Sequence, residues 1–192
     1  MILAFFMAIF KRPISDGYFT LISAWAIFVF SALLITRIWR NHLAQTPVWL
    51  IAASLMLTGM IYPVLWGVNS ARIYEAATLT CTAFVLAGLF FIFDTLAGYK
   101  PNRISLFFAG VFWGFAIGSR MLSVIVIFIL CLGVLWKLAW PGKQFRLSRS
   151  GILDGLALIL PIGIALLFLG WYNFIRFGNP FDSGLRFADD RG

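Results

Sequence analysis

The sequence predicts an all-α protein, a polytopic transmembrane helical bundle of about six full spans with a partial one at its N-terminus. Three observations carry this. Of 192 residues, 62% are hydrophobic and 11% charged, with a mean hydropathy of +0.96; a soluble domain carries about 25% charged residues and about 45–50% apolar ones. The apolar residues fall in runs of membrane-span length, and Lys and Arg sit almost entirely in the short breaks between those runs. A chain of this size could form one soluble domain, but it lacks the polar surface to cover one.

A membrane helix needs about 20 mainly apolar residues, within a range of about 17–25. Six stretches meet or approach this: Tyr18–Ile38, Val48–Trp66, Ala76–Leu96, Ile104–Gly118, Leu122–Leu138 and Ile152–Trp171. The fourth is short, so it either extends into the Gly118-Ser119-Arg120 break or tilts less than its neighbours. Met1–Phe10 is apolar too, but at 1.5 Å per residue it covers only about 15 Å, which suits the tail of a helix. A signal peptide fits less well, because no basic segment precedes the run and no small-residue cleavage site follows it. The abundant Phe and Trp suit lipid-facing helices and interfacial belts. No long repeat, low-complexity tract or linker divides the chain, so residues 1–192 are read as one transmembrane domain.

Cations set the expected orientation through the positive-inside rule. Alternate breaks hold Arg37 and Arg40, then Lys100 and Arg103, then Lys137, Lys143, Arg146 and Arg149, against Arg72 and Arg120 in the other set. That places the first set on the cytoplasmic side of the cell (inner) membrane. The terminal cations Lys11, Arg12, Arg176, Arg186 and Arg191 fall on the other side. The net charge of +8 therefore marks loops beside anionic head groups. It does not form the clustered basic face of a nucleic-acid binder, and no nucleic-acid partner is expected. Cys81 and Cys131 lie within apolar runs and read as small core residues. His42, the single histidine, has no partner at ligand spacing, so no metal site is expected.

Two features read as packing. Gly110, Gly114 and Gly118 repeat every four residues, a small-residue stripe that lets helices approach closely. Pro63 and Pro161 lie within spans, where each removes a backbone donor and favours a kink. Asp94 and Asp154 fall near the cytoplasmic ends and are expected to pair with Lys or Arg there.

Chemistry is more readable in the outer breaks. Glu75 opens a helix three residues after Arg72. One reading is an acidic residue at the positive end of that helix, with Ser70 as a cap. The other makes Arg72 a phosphate or sugar ligand and Glu75 a polar contact beside it. Arg120 sits between two apolar runs with almost no loop. It either snorkels to the interface or holds an anionic lipid phosphate. The tail from Trp171 to Gly184 runs through an aromatic belt, then Arg176, then Gly-Asn-Pro turn chemistry and Asp182. Its plain reading is an interfacial anchor and a helix stop.

Three segments together resemble the GT-C membrane glycosyltransferases, the group that includes protein O-mannosyltransferases and aminoarabinose transferases. They are Ser70–Ala77 (SARIYEAA), Gly110–Arg120 (GVFWGFAIGSR) and Trp171–Gly184 (WYNFIRFGNPFDSG). The resemblance implies transfer of a sugar from a polyprenyl-phosphate carrier to an acceptor hydroxyl on the non-cytoplasmic face. An acidic base would act on the acceptor, and basic residues would hold the departing lipid phosphate. It implies Arg72, Glu75, Arg120, Arg176 and Asp182 as substrate-binding residues and no cofactor besides the donor substrate. Membrane lipid and the lipid-linked sugar donor are the implied partners.

The chain departs from that family in one important respect. The family's main acidic residue lies in a long first outer loop, and no such loop is present. The catalytic base is therefore unassigned within this chain. The expectation is an internal portion of a larger transferase, inactive alone. The competing reading is a non-catalytic transport, scaffold or lipid-binding accessory protein.

Overall fold

The computed structural model describes residues 16–60, 73–140 and 149–180. Among them the secondary structure is all helical. The six helices are α1 (Asp16–His42), α2 (Val48–Gly59), α3 (Ile73–Ala97), α4 (Arg103–Ser119), α5 (Ser123–Ala139) and α6 (Arg149–Phe177). Successive helices alternate in direction. The starts of α3 and α5 therefore share one end of the bundle with the ends of α4 and α6.

Among the described residues, three helices, α1, α3 and α6, are long and apolar enough to cross a membrane, where six were expected. The physical reason is length. The apolar helices α4 and α5 have 17 residues each, about 25 Å at 1.5 Å per residue, against a hydrocarbon core about 30 Å thick. Helix α2 has 12 residues, and residues 61–66 of the expected span, with Pro63, lie outside the described residues. So do the partial span Met1–Phe10 and Ser70.

Helix α4 is the centre of the bundle. Asn102 caps it, its side-chain oxygen accepting from the Ile104 amide at 3.0 Å, which satisfies one orphan donor of the first turn. Its buried face comprises Leu106, Ala109, Gly110, Trp113, Gly114, Ala116 and Ile117. This face packs against α3 on one side and α6 on the other. A methyl group on Gly110 would lie 2.3 Å from the Leu158 carbonyl oxygen, and one on Gly114 would lie 2.7 Å from the Ala165 Cβ. Those two glycines let the α4 and α6 backbones touch, as the stripe predicts. Pro161 lies in that contact. It is buried inside α6, which continues past it as helix, and its Cγ lies 3.2 Å from where a Gly110 Cβ would be.

Trp113 is fully buried, so it lies in the core and not in an interfacial belt. It fits because residue 88 lacks a side chain: a Gly88 methyl would meet the indole nitrogen at 2.2 Å. The indole N–H donates to the Val85 carbonyl at 3.3 Å. Around it, the Phe91 ring stacks on Phe112 and Phe108 with centroids 5.5 and 5.6 Å apart, and Phe30 brings α1 against Phe90 and Phe112. Such pairs contribute about 0.5–1.5 kcal/mol each beyond burial. Helices α1 and α3 also meet through Ile27, Leu79 and Ala83, and Ser23 and Thr80 share a buried hydrogen bond of 2.8 Å. Helices α5 and α2 are peripheral, and α2 buries no residue.

The opposite end of the bundle is tied by two ion pairs. Arg37 of α1 bonds to Asp94 of α3. Arg103 of α4 donates from Nε to the Asp154 carboxylate of α6 at 2.8 Å. Asp154 is almost fully buried and also accepts from the Ser150 hydroxyl at 3.4 Å. Both acids pair with arginine, as expected from their positions.

Gly110→Ala should push α4 off α6 and lower stability by about 1–3 kcal/mol, the usual cost of overpacking a closed contact. Gly133→Ala, where nothing lies within 4 Å of the added methyl, should be neutral or gain up to about 1 kcal/mol from helix propensity. Thermal unfolding of both variants in one detergent checks the contrast.

Candidate functional site

At the end of the bundle away from the ion pairs, α4 stops at Ser119 and α5 begins at Ser123. The three intervening residues hold Arg120 in an extended conformation as the α4 C-cap. Its amide still donates to the Ala116 carbonyl at 3.0 Å. Its own carbonyl accepts from the Ser123 hydroxyl at 2.7 Å and the Ser123 amide at 3.0 Å. The backbone of Arg120 is thereby fixed from both helices.

The side chain turns back onto the first turns of α3. Its guanidinium donates through Nη1 to the Thr78 hydroxyl and lies 5.3 Å from the centroid of the Tyr74 ring, within cation–π range. Residues 74 and 78 share one helix face. The Thr78 hydroxyl spends its proton on the Tyr74 carbonyl at 2.9 Å, leaving a lone pair for Arg120. An arginine carries five N–H donors, and this hydrogen bond uses one. Arg120 is therefore held against α3 and forms no ion pair among the described residues. It is a positioned cation with donors to spare.

Glu75 lies in the first turn of α3, where a carboxylate is favoured by the helix dipole. It is half-buried. Its Oε2 is sealed from solvent and has no hydrogen-bond partner, an arrangement that costs about 1–3 kcal/mol where it is not offset. Among the carboxylates whose side chains are described, Glu75 is the one outside an ion pair, since Asp94 and Asp154 are both held by arginines. Glu75 and Arg120 occupy the same end of the bundle, and they do not form a salt bridge.

Arg176, in the last turn of α6, also comes to this end. It is exposed, donates to the Tyr172 hydroxyl at 3.1 Å and lies over the Phe177 ring. Between the ends of α6 and α4 is a shallow cavity of about 190 Å³, whose walls include Gly118, Met121, Tyr172, Asn173 and Arg176. Helix α6 closes on Gly178, in the left-handed region at φ +71°, where glycine is favoured. The following turn folds back so that the buried Asn173 amide donates to the Pro180 carbonyl at 3.3 Å. The Gly-Asn-Pro sequence is a helix stop here, as its plain reading expects.

Of the five residues assigned as substrate-binding, the structure thus brings Glu75, Arg120 and Arg176 to one end. Arg120 reaches α3, while Arg176 remains on its own helix. Arg72 and Asp182 lie outside the described residues. Tyr74, Thr78, Ser123 and Asn173 join the site without having been singled out. Tyr74 stands in the SARIYEAA segment and Asn173 in WYNFIRFGNPFDSG, but a lone Thr or Ser in an apolar run carries no signal of its own. Among the described residues no group of His, Cys, Asp and Glu gathers with the geometry of a metal site.

Because the Glu75 carboxylate has no partner for one oxygen, Glu75→Gln should leave thermal stability unchanged or raise it by up to about 1 kcal/mol. A clear loss of stability on unfolding would mean that the carboxylate is satisfied in the native protein. In comparison with known proteins, no family model, no curated protein and no solved structure matches this chain.

Proposed function

We propose that the chain forms a multi-pass portion of a membrane glycosyltransferase, acting on a polyprenyl-phosphate sugar donor at the non-cytoplasmic face of the cell membrane. In this reading α2, α4 and α5 cross the bilayer along with α1, α3 and α6, giving six spans. The shorter helices would be accommodated by local thinning or snorkelling flanks. The observation that carries the proposal is the Arg120 guanidinium, fixed by Thr78 and Tyr74 with unspent donors, at the same end as the Glu75 carboxylate. A lipid phosphate is a dianionic or monoanionic acceptor that such a fork recognises.

The chemistry divides between the two ends of the bond that breaks. Negative charge accumulates on the carrier phosphate as it departs, and a fixed cation lowers the energy of that state more than of the ground state. Arg120 fills that role, with Arg176, and Arg72 preceding α3, as further cations for the phosphate. Glu75 is a polar contact for the sugar or acceptor. No residue of this chain is assigned as the base that deprotonates the acceptor. The resemblance in SARIYEAA, GVFWGFAIGSR and WYNFIRFGNPFDSG supports the choice of reaction class.

A non-catalytic lipid-binding or accessory role is the second reading, favoured by the fact that Asp94 and Asp154 are committed to ion pairs. Arg120→Ala separates the two. In membranes carrying the full gene product, the variant should lower sugar transfer from the polyprenyl-phosphate donor by about 10²-fold or more, with insertion and abundance intact. Turnover at the wild-type level would remove the phosphate role assigned to Arg120.

A further inference from the structure

At the ion-paired end of the bundle, far from Arg120, α1 carries a groove of about 610 Å³ on its outer side. Trp25, Val29 and Leu33 stand along its wall, Phe90 of α3 contributes from the side, and Arg37 and Arg40 close one end. We propose that this groove is a binding site for an anionic glycerophospholipid, with an acyl chain lying along α1 and the headgroup phosphate on Arg40. The proposal is independent of the transferase reading.

Size, charge and shape each favour that occupant. From Trp25 to Arg40 the helix rises about 22 Å, enough for the acyl chain of one leaflet, about 15 Å, with the glycerol and phosphate beyond it. The lining is apolar until its cationic end. The Thr36 hydroxyl is turned inward, donating to the Ala32 carbonyl at 2.7 Å, and offers no donor to a partner. Arg37 is neutralised by Asp94, whereas Arg40 is exposed and makes no hydrogen bond or ion pair among the described residues. One uncompensated cation at the mouth of an apolar groove selects a net negative headgroup.

A helix fits this groove poorly. Where the α4 and α6 backbones touch, glycines line the contact, as Gly110 and Gly114 do. The groove wall instead presents Trp25, Val29 and Leu33, which are 65%, 43% and 43% exposed and hold a second backbone away. A flexible acyl chain can thread between such side chains without close backbone approach.

The test is native mass spectrometry of the full chain in mild detergent, titrated separately with phosphatidylglycerol and phosphatidylcholine. Wild type should retain phosphatidylglycerol in preference. Arg40→Gln should weaken that retention about fivefold, the effect of one cation beside an anionic headgroup, and abolish the preference. Arg149→Gln, an exposed cation at the same end outside the groove, should leave both unchanged. Leu33→Trp, which fills the groove and leaves the Arg40 charge in place, should reduce retention of both lipids, and it carries the test if Arg40→Gln lowers the melting temperature. The proposal is overturned if wild type shows no preference, if Arg40→Gln matches Arg149→Gln, or if Leu33→Trp binds both lipids as wild type does. It is equally overturned if a Leu33→Cys chain crosslinks to a second copy in the membrane, which would give the groove to protein.

Discussion

Helix α4 touches α6 so closely that the Leu158 carbonyl occupies the space of a Gly110 side chain, and the position of nearly every other element follows from that contact. Lipid offers no hydrophobic drive for helices to associate, because the surrounding tails are as apolar as leucine. What remains is close packing and the hydrogen bonds that lipid cannot supply. The glycines of α4 provide the first on the α6 side, and Gly88 provides it on the α3 side by admitting Trp113. With both neighbours set, the end of α4 delivers Arg120 against the opening turns of α3. Had α4 a methyl at position 110, the bundle would spread, and the guanidinium would lose its fixed relation to Thr78.

The two ends of the bundle differ in how they treat charge. At one end, Arg37 with Asp94 and Arg103 with Asp154 each link two helices, and the buried Asp154 has both a cation and a hydroxyl. Such satisfied pairs fix geometry more than they add stability. At the other end, Arg120 is oriented by a neutral hydroxyl and an aromatic ring, Glu75 has an oxygen without a partner, and Arg176 is exposed. Proteins tolerate unsatisfied charge where a ligand or a reaction needs it, at some cost in stability. That asymmetry is why the proposed site lies at the Arg120 end. The lipid groove uses a cation of the ion-paired end that neither pair engages, Arg40.

Much of this architecture was legible in the sequence because apolar runs and charged breaks are long-range signals. The fourth run, Ile104–Gly118, matches α4 to within one residue at each end, and the glycine stripe was read correctly as a packing surface. Asp94 and Asp154 were recognisable as paired acids from their positions. Their particular partners were not, since Arg37 and Arg103 lie more than fifty residues away in sequence, and periodicity along one helix says nothing about rotation against another. The same limit explains why Trp113 looked like any other membrane tryptophan: its burial depends on the missing side chain at Gly88, on a different helix. The number of spans differs for another reason: the runs Ile104–Gly118 and Leu122–Leu138 correspond to helices of 17 residues each, shorter than the hydrocarbon core is thick. In the candidate site, Arg120 stood out as a charge without a loop, but Thr78, which orients it, is an unremarkable threonine in an apolar run.

The proposed site requires that the Arg120 end and the ion-paired end lie on opposite sides of a membrane. Impermeant maleimide labelling of intact cells tests it most directly, using single cysteines in a background with Cys81 and Cys131 replaced by alanine. Met121→Cys reports the Arg120 end, and Leu43→Cys and Tyr99→Cys report the other; all three positions are exposed. Met121→Cys should label in intact cells, and Leu43→Cys and Tyr99→Cys only after lysis. Labelling of Met121→Cys and Tyr99→Cys from the same side would contradict it, because α4 would then not cross the bilayer.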